Sequence, residues 1–169
     1  PEKIDWNWDG IYMNQNPEVI QLLRHKLMLN PNKIDWGWLS ANSNVEVIQL
    51  LLEYPEKINW AWLSANSHPD ALKLLRLTPE KINWRALSSN SHPDALKLLL
   101  ENPENIDWKM FSTNSNPDAL KRLQEQPEKI DWQWLSWNSH PDALKLLRLH
   151  PEKIDWGWLS RNSNVEVLQ

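Results

Sequence analysis

The stretch Pro55–Thr78, PEKINWAWLSANSHPDALKLLRLT, returns downstream as PEKINWRALSSNSHPDALKLLLEN (79–102), PENIDWKMFSTNSNPDALKRLQEQ (103–126) and PEKIDWQWLSWNSHPDALKLLRLH (127–150). Upstream it is matched by PNKIDWGWLSANSNVEVIQLLLEY (31–54), and a shorter copy, PEKIDWGWLSRNSNVEVLQ, occupies 151–169. Pro31, Pro55, Pro79, Pro103, Pro127 and Pro151 are therefore each 24 residues apart. The first copy, 1–30, keeps PEKIDWNW and NPEVIQLL but carries six extra residues, some near Asp9–Gly10 and the rest around Arg24–Asn30. A fixed period of this length is the mark of a repeat architecture, in which each copy buries its apolar face against its neighbours.

Each copy reads as two short helices. Asp5, Asp35, Asp107, Asp131 and Asp155, with Asn59 and Asn83 in the other copies, can accept a backbone N–H as N-caps of the first helix. That helix, WxWLSx, is expected to stop at a recurring Asn (Asn42, Asn66, Asn90, Asn114, Asn138, Asn162), a residue that tolerates the left-handed conformation common at helix ends. The run SHPD, SNPD or SNVE that follows has the form of a capping box, with Ser67 and Asp70 as one pair. The second helix, DALKLLRL and its variants, carries apolar residues at helical spacing and is stopped by the next Pro. Helices below about 12 residues are marginal alone in water. The expected fold is thus an all-α solenoid of seven helix-turn-helix repeats sharing one core, with copies at 1–30, 31–54, 55–78, 79–102, 103–126, 127–150 and, in part, 151–169. The chain opens without Met and breaks off in mid-pattern at Gln169, so it is expected to be a piece of a longer protein.

Composition bears on chemistry. The chain has thirteen Trp, twelve Pro, only three Gly, no Cys and a formal charge of −4. Without Cys there can be no disulfide, thiolate metal site or Cys nucleophile. No apolar run approaches the length of a membrane span, and no Gly-rich phosphate loop is present. The serines Ser40, Ser64, Ser88, Ser112, Ser136 and Ser160 are copies of one structural position, whereas a catalytic nucleophile is singled out by its own base. Ser67-His68-Pro69-Asp70 has the residue types of a triad but the placement of a cap, and His gives way to Asn at Asn44, Asn116 and Asn164. No enzyme, metal or cofactor is expected.

Two resemblances bear on these residues. NSNVEVIQLLLE (42–53) looks like the second half of an ankyrin repeat, but PEKID replaces the residues that would form ankyrin's β-hairpin. Nearly the whole chain more closely resembles the tandem IDWxxLSxN(P)xxAIxLL-type repeats of giant DNA virus proteins. That resemblance implies an ankyrin-like array, lacking the hairpin, in which first helices line a concave face. It also implies a protein-binding role, in a host-cell cytoplasm or in the virion.

Positions identical in every copy serve stacking, and positions that vary are available to a partner. Trp6, Trp36, Trp60, Trp84, Trp108, Trp132 and Trp156 never change and are expected to form an interlocking spine inside the shared seam, as are the Ile row from Ile4 to Ile154 and the row Leu39, Leu63, Leu87, Phe111, Leu135 and Leu159. A second row, Trp8, Trp38, Trp62, Ala86, Met110, Trp134 and Trp158, tolerates Ala and Met and is expected at the edge of the core. The variable positions on the first helix are Asn7, Gly37, Ala61, Arg85, Lys109, Gln133 and Gly157, and one turn later Ala41, Ala65, Ser89, Thr113, Trp137 and Arg161. Trp137, the aromatic outside the repeat pattern, is the foremost candidate contact, followed by Arg85, Lys109, Arg161 and Gln133; drift on a solvated face is the competing account. The expected role is a scaffold for a protein partner, which could be a host protein or a second copy. The alternative is a structural spacer or virion component assembling through its ends or sides. An acidic balance and the Asp or Glu beside each Lys argue against nucleic acid.

Overall fold

The computed structural model describes residues 12, 14, 16–29 and 34–163. The chain forms two compact units, 1–82 and 83–169. Every described regular element is helical, and among the described residues there is no strand. In the first unit the α-helices are α1 (Pro17–Leu29), α2 (Trp36–Ala41), α3 (Val45–Glu53), α4 (Trp60–Ala65) and α5 (Pro69–Leu77). In the second they are α6 (Trp84–Ser88), α7 (Pro93–Leu100), α8 (Trp108–Phe111), α9 (Pro117–Glu125), α10 (Trp132–Trp137), α11 (Pro141–Leu149) and α12 (Trp156–Leu159). Within each unit first helices pack on first helices, such as α2 on α4 and α10 on α12, and second helices on second helices, such as α3 on α5 and α9 on α11.

The PEK segments form a single turn of 3₁₀-helix, as at Pro55–Lys57 and Pro127–Lys129. Proline is at home in the first turn of such a helix because its missing N–H would have no partner there. Asp35, Asn59, Asn83, Asp107, Asp131 and Asp155 cap the first helices as expected, each accepting the N–H three residues on. Asp5 lies outside the described residues.

The second helices start one residue later than the capping-box reading places them. The cap is His68, His92 or His140 in three repeats and Asn44 or Asn116 in two; the His Nδ1 or Asn Oδ1 accepts the N–H of the residue two further on. The reason is local. The cap residue is extended with or without a following proline: His68, before Pro69, has φ −70° and ψ 133°, and Asn44, before Val45, has φ −75° and ψ 131°. The cap therefore falls on the residue whose side chain reaches the N–H two further on, and not on Ser67. His and Asn alternate because each offers an acceptor at the same height.

The recurring Asn also works differently from expectation. Asn42 has φ −74° and ψ 127°, and no residue described has positive φ, so no left-handed stop is used. The Asn side chain joins repeats instead. In the first unit Asn66 Nδ2 donates to the carbonyls of Ser40 (3.1 Å) and Asn42 (2.9 Å) one repeat back. In the second, Asn114 Nδ2 donates to Ser88 and Asn90 (both 2.9 Å), and Asn138 to Ser112 and Asn114. Its Oδ1 accepts from the residue two on, as Asn66 does from the N–H of His68 (2.9 Å). The serine beside it completes the joint. Ser112 Oγ donates to the Trp108 carbonyl (2.8 Å) and accepts the N–H of Asp131 (3.0 Å) in the next repeat.

The core consists of the Leu/Phe row of the first helices, the Ile row and the second-helix Ala and Leu positions. Leu39, Leu63, Leu87, Phe111 and Leu135 are fully buried, and the serines and asparagines of the ladder lie among them. The invariant indoles sit shallower than expected. Trp36, Trp60, Trp84, Trp108 and Trp132 are half-buried, Trp156 is 67 % exposed, and Trp6 lies outside the described residues. A helix of six residues turns only one narrow stripe inward, and in α2 that stripe is Leu39 and Ser40. The leading Trp is left at the flank, where it covers the turn that closes its own repeat: Trp36 lies against Tyr54 (ring centroids 5.4 Å apart) and Trp132 against His150 (4.9 Å).

Part of the first repeat's expansion lengthens its second helix, α1, to 13 residues where α3 has nine. Arg24, just before that extension, forms a two-pronged ion pair with Glu53 at 3.2 and 3.0 Å. The extra residues near Asp9–Gly10 lie outside the described residues.

Candidate functional site

Four of the predicted contact residues, Lys109, Gln133, Trp137 and Arg161, lie on or just after α8, α10 and α12 of the second unit. Trp134 and Trp137 are three residues apart on α10 and so share a face. Twenty-four residues after Trp134, Trp158 reaches back from α12 and stacks on it, with ring centroids 5.6 Å apart and 29° between planes. Trp137 meets the same Trp158 ring edge-on, at 5.4 Å and 90°. Three indoles thus make a right-angled corner, of which Trp137 remains 44 % exposed. Trp134 Nε1 is buried without an acceptor among the described residues, so stacking and not hydrogen bonding holds this ring.

Cations flank the corner. Lys109 of α8 places Nζ 5.2 Å from the Trp134 ring centroid, and the Arg161 guanidinium lies 5.7 Å from that of Trp158. Cation–π contacts of this kind stabilise by roughly 0.5–1 kcal/mol where exposed. Neither cation has a carboxylate within salt-bridge distance among the described residues. Arg85 does: its guanidinium is 3.8 Å from Asp107, the carboxylate that caps α8. Gln133 is exposed, one turn before Trp137 on α10.

Of the five predicted contact residues, the structure therefore joins Trp137, Lys109 and Arg161 through the rings of Trp134 and Trp158. It sets Gln133 beside them and ties Arg85 to Asp107. Trp134 and Trp158 were expected only as core edge. Their part in the corner was detectable in principle, from the i, i+3 spacing to Trp137 and the one-repeat spacing to each other.

The first unit supplies an internal comparison. Trp38 and Trp62 stack there in the same way, at 5.9 Å and 26°, and are 37 % and 48 % exposed. The positions equivalent to Trp137 are Ala41 and Ala65, and those equivalent to Lys109 are Gly37 and Ala61. A stacked pair recurs; the third ring and the charges do not.

A separate groove of about 280 Å³ lies between α9 and α11, lined by Pro117, Leu120, Leu146 and Leu149 with the Lys145–Asp142 ion pair at its edge. Among the described residues no group of three His, Asp or Glu side chains is placed to hold a metal ion, and no helix is long and apolar enough to cross a membrane. No family model, no curated protein and no solved structure matches the chain.

Proposed function

We propose that the chain is a non-catalytic scaffold that binds a protein partner along its first-helix face, with Trp137 as the anchor. The observation that carries this reading is the state of Trp137: a large aromatic at a position occupied elsewhere by Ala, Ser, Thr or Arg, set edge-on against Trp158 yet 44 % exposed. Rigid, amphipathic indoles surrounded by cations are the composition of interface hot spots. Lys109, Arg161 and Gln133 border the anchor, and Arg85 extends the face along α6. The test is to isolate the partner by cross-linking to the full chain and to repeat the capture with W137A. Loss of the partner with no more than about 1 kcal/mol lost in stability, the worth of the edge-to-face contact, supports the reading; equal capture by W137A overturns it.

The second reading is a structural element that assembles through its sides. Leu77 and Leu149, at equivalent second-helix ends in the two units, are 80 % and 66 % exposed, more than packing within one chain requires. Light scattering over a concentration series separates the two: a monomer throughout disfavours self-assembly.

A further inference from the structure

The corner around Trp137 has a chemistry that restricts what it can receive. Trp134 and Trp158 stack on each other and each also carries a cation over its ring, so neither offers an open platform to a flat base. The same two rings already carry Lys109 and Arg161, so a cationic ligand would meet like charge. What remains is the exposed ring of Trp137, standing at a right angle to Trp158 and flanked by two cations that have no carboxylate within salt-bridge distance among the described residues. A compact apolar ring with polarised C–H bonds, flanked by negative charge, complements it.

The repeat geometry adds a spacing. Lys109 and Trp137 stand on α8 and α10, and Arg161 follows the end of α12, the next first helix, by two residues. Neighbouring packed helices are roughly 8–10 Å apart. A polyproline II strand advances about 9 Å for every three residues. A peptide in that conformation running across the helices would set every third residue over the next helix. Gln133 is exposed and its side chain makes no hydrogen bond among the described residues, and so offers an amide to the peptide's unpaired backbone.

Building on the first-helix face as a binding surface, we propose that the exposed ring of Trp137, set edge-on against Trp158, receives the proline of an extended acidic peptide of pattern acidic–x–x–Pro–x–x–acidic. Lys109 and Arg161 pair with its two outer carboxylates. Docking of polyproline II segments on aromatic-lined grooves uses the same physics: a ligand already stiff loses little entropy on binding.

The experiment is fluorescence anisotropy of the labelled probe Asp-Pro-Ala-Pro-Pro-Ala-Glu with the full chain. The expected result is saturable binding that W137A weakens by at least about tenfold, the size of a hot-spot truncation. The K109A/R161A pair weakens it severalfold and removes most of its salt dependence, while W62A in the first unit leaves it unchanged. Thermal unfolding of each variant identifies any that fail to fold, and W137F, which keeps an aromatic ring, recovers part of the binding. Three results would overturn the proposal: no binding of the probe, equal binding by W137A, or equal binding of probes carrying Lys for the acidic residues or Ala for the central Pro. Failure here is separable from failure of the wider reading. A partner protein lost with W137A while the probe never binds keeps the surface and discards this occupant. A partner indifferent to W137A discards both.

Discussion

Asn138 donates its side-chain amide to the backbone carbonyl of Asn114 at 3.0 Å, and Asn114 holds that of Asn90 in the same way at 2.9 Å. Residues identical in sequence and 24 apart are thus bonded in series, each being donor to the copy before it and acceptor for the copy after it. The ladder is buried. Its worth is set less by the bonds made than by the cost of leaving buried carbonyls without donors.

Asn114→Ala would strand the carbonyls of Ser88 and Asn90 and remove the acceptor for the N–H of Asn116. Each unsatisfied buried group costs about 1–3 kcal/mol. The expected loss is about 2–4 kcal/mol by urea unfolding. Asn114→Asp, which keeps the acceptor and loses the donors, should recover little. Asn162→Ala should cost less, because Asn162 is only part-buried. Equal tolerance of all three changes would remove the ladder from the account of stability.

Ser112→Ala deletes the acceptor for the N–H of Asp131 and should cost about 1–2 kcal/mol. Ser160 occupies the same sequence position but is exposed, and among the described residues its hydroxyl bonds only the Gly157 carbonyl (2.9 Å). Its replacement by Ala should shift the melting temperature by no more than the error of the measurement.

The caps of the second helices make a sharper contrast. His92 Nδ1 accepts the N–H of Asp94 at 3.1 Å, and Asn116 Oδ1 makes the same bond to Asp118 at 2.9 Å. His92→Asn should be nearly neutral and His92→Ala should cost about 1 kcal/mol. If both behave alike, the imidazole is held there by packing and not as a cap.

Two residues of α10 separate interior from surface. Leu135 is fully buried, and Leu135→Ala should cost about 2–5 kcal/mol. Trp137→Ala should cost about 1 kcal/mol, the edge-to-face contact with Trp158 being its main attachment. Should thermal unfolding rank Trp137 beside Leu135, the ring belongs to the core and the binding face must be sought elsewhere.

Acid should weaken the fold in a defined window. Asp70, hydrogen-bonded by Lys73, Asp142, hydrogen-bonded by Lys145, and Glu53, hydrogen-bonded by Arg24, are all held below the ordinary carboxylate values. A lowered folded-state value means the stabilisation is complete above the unfolded value of about 4 and disappears as pH falls through the folded one. Stability should therefore decline below about pH 4, and less steeply in K73A/K145A. These pairs are exposed, so the difference should be small and should shrink in about 1 M salt. An unchanged acid profile in the double variant would show that the pairs contribute nothing.

Much of this protein could be read one residue at a time. The 24-residue period, the two helices of each repeat, the acidic or Asn caps of the first helix and the buried Leu row follow from local spacing, because caps and helical stripes involve residues only a few positions apart. The PEK turn and the cap of the second helix also have local causes: proline opens the turn, and the His or Asn side chain meets the N–H two residues on. Constancy of the tryptophans showed that every repeat needs them, but not how deeply they lie. Depth depends on which stripe of a short helix faces its neighbours.

What no single repeat contains was decided by stacking. The Asn-to-carbonyl bonds, the stacked indoles and the corner around Trp137 each join groups from different copies, and their geometry exists only once one helix pair lies on the next. Sequence alone determined that the repeats would stack and which side chains were free to differ. Tertiary structure decided that three of those differences, at Lys109, Trp137 and Arg161, meet around one pair of rings, because proximity between residues 24 or more apart is set by packing and not by chain order.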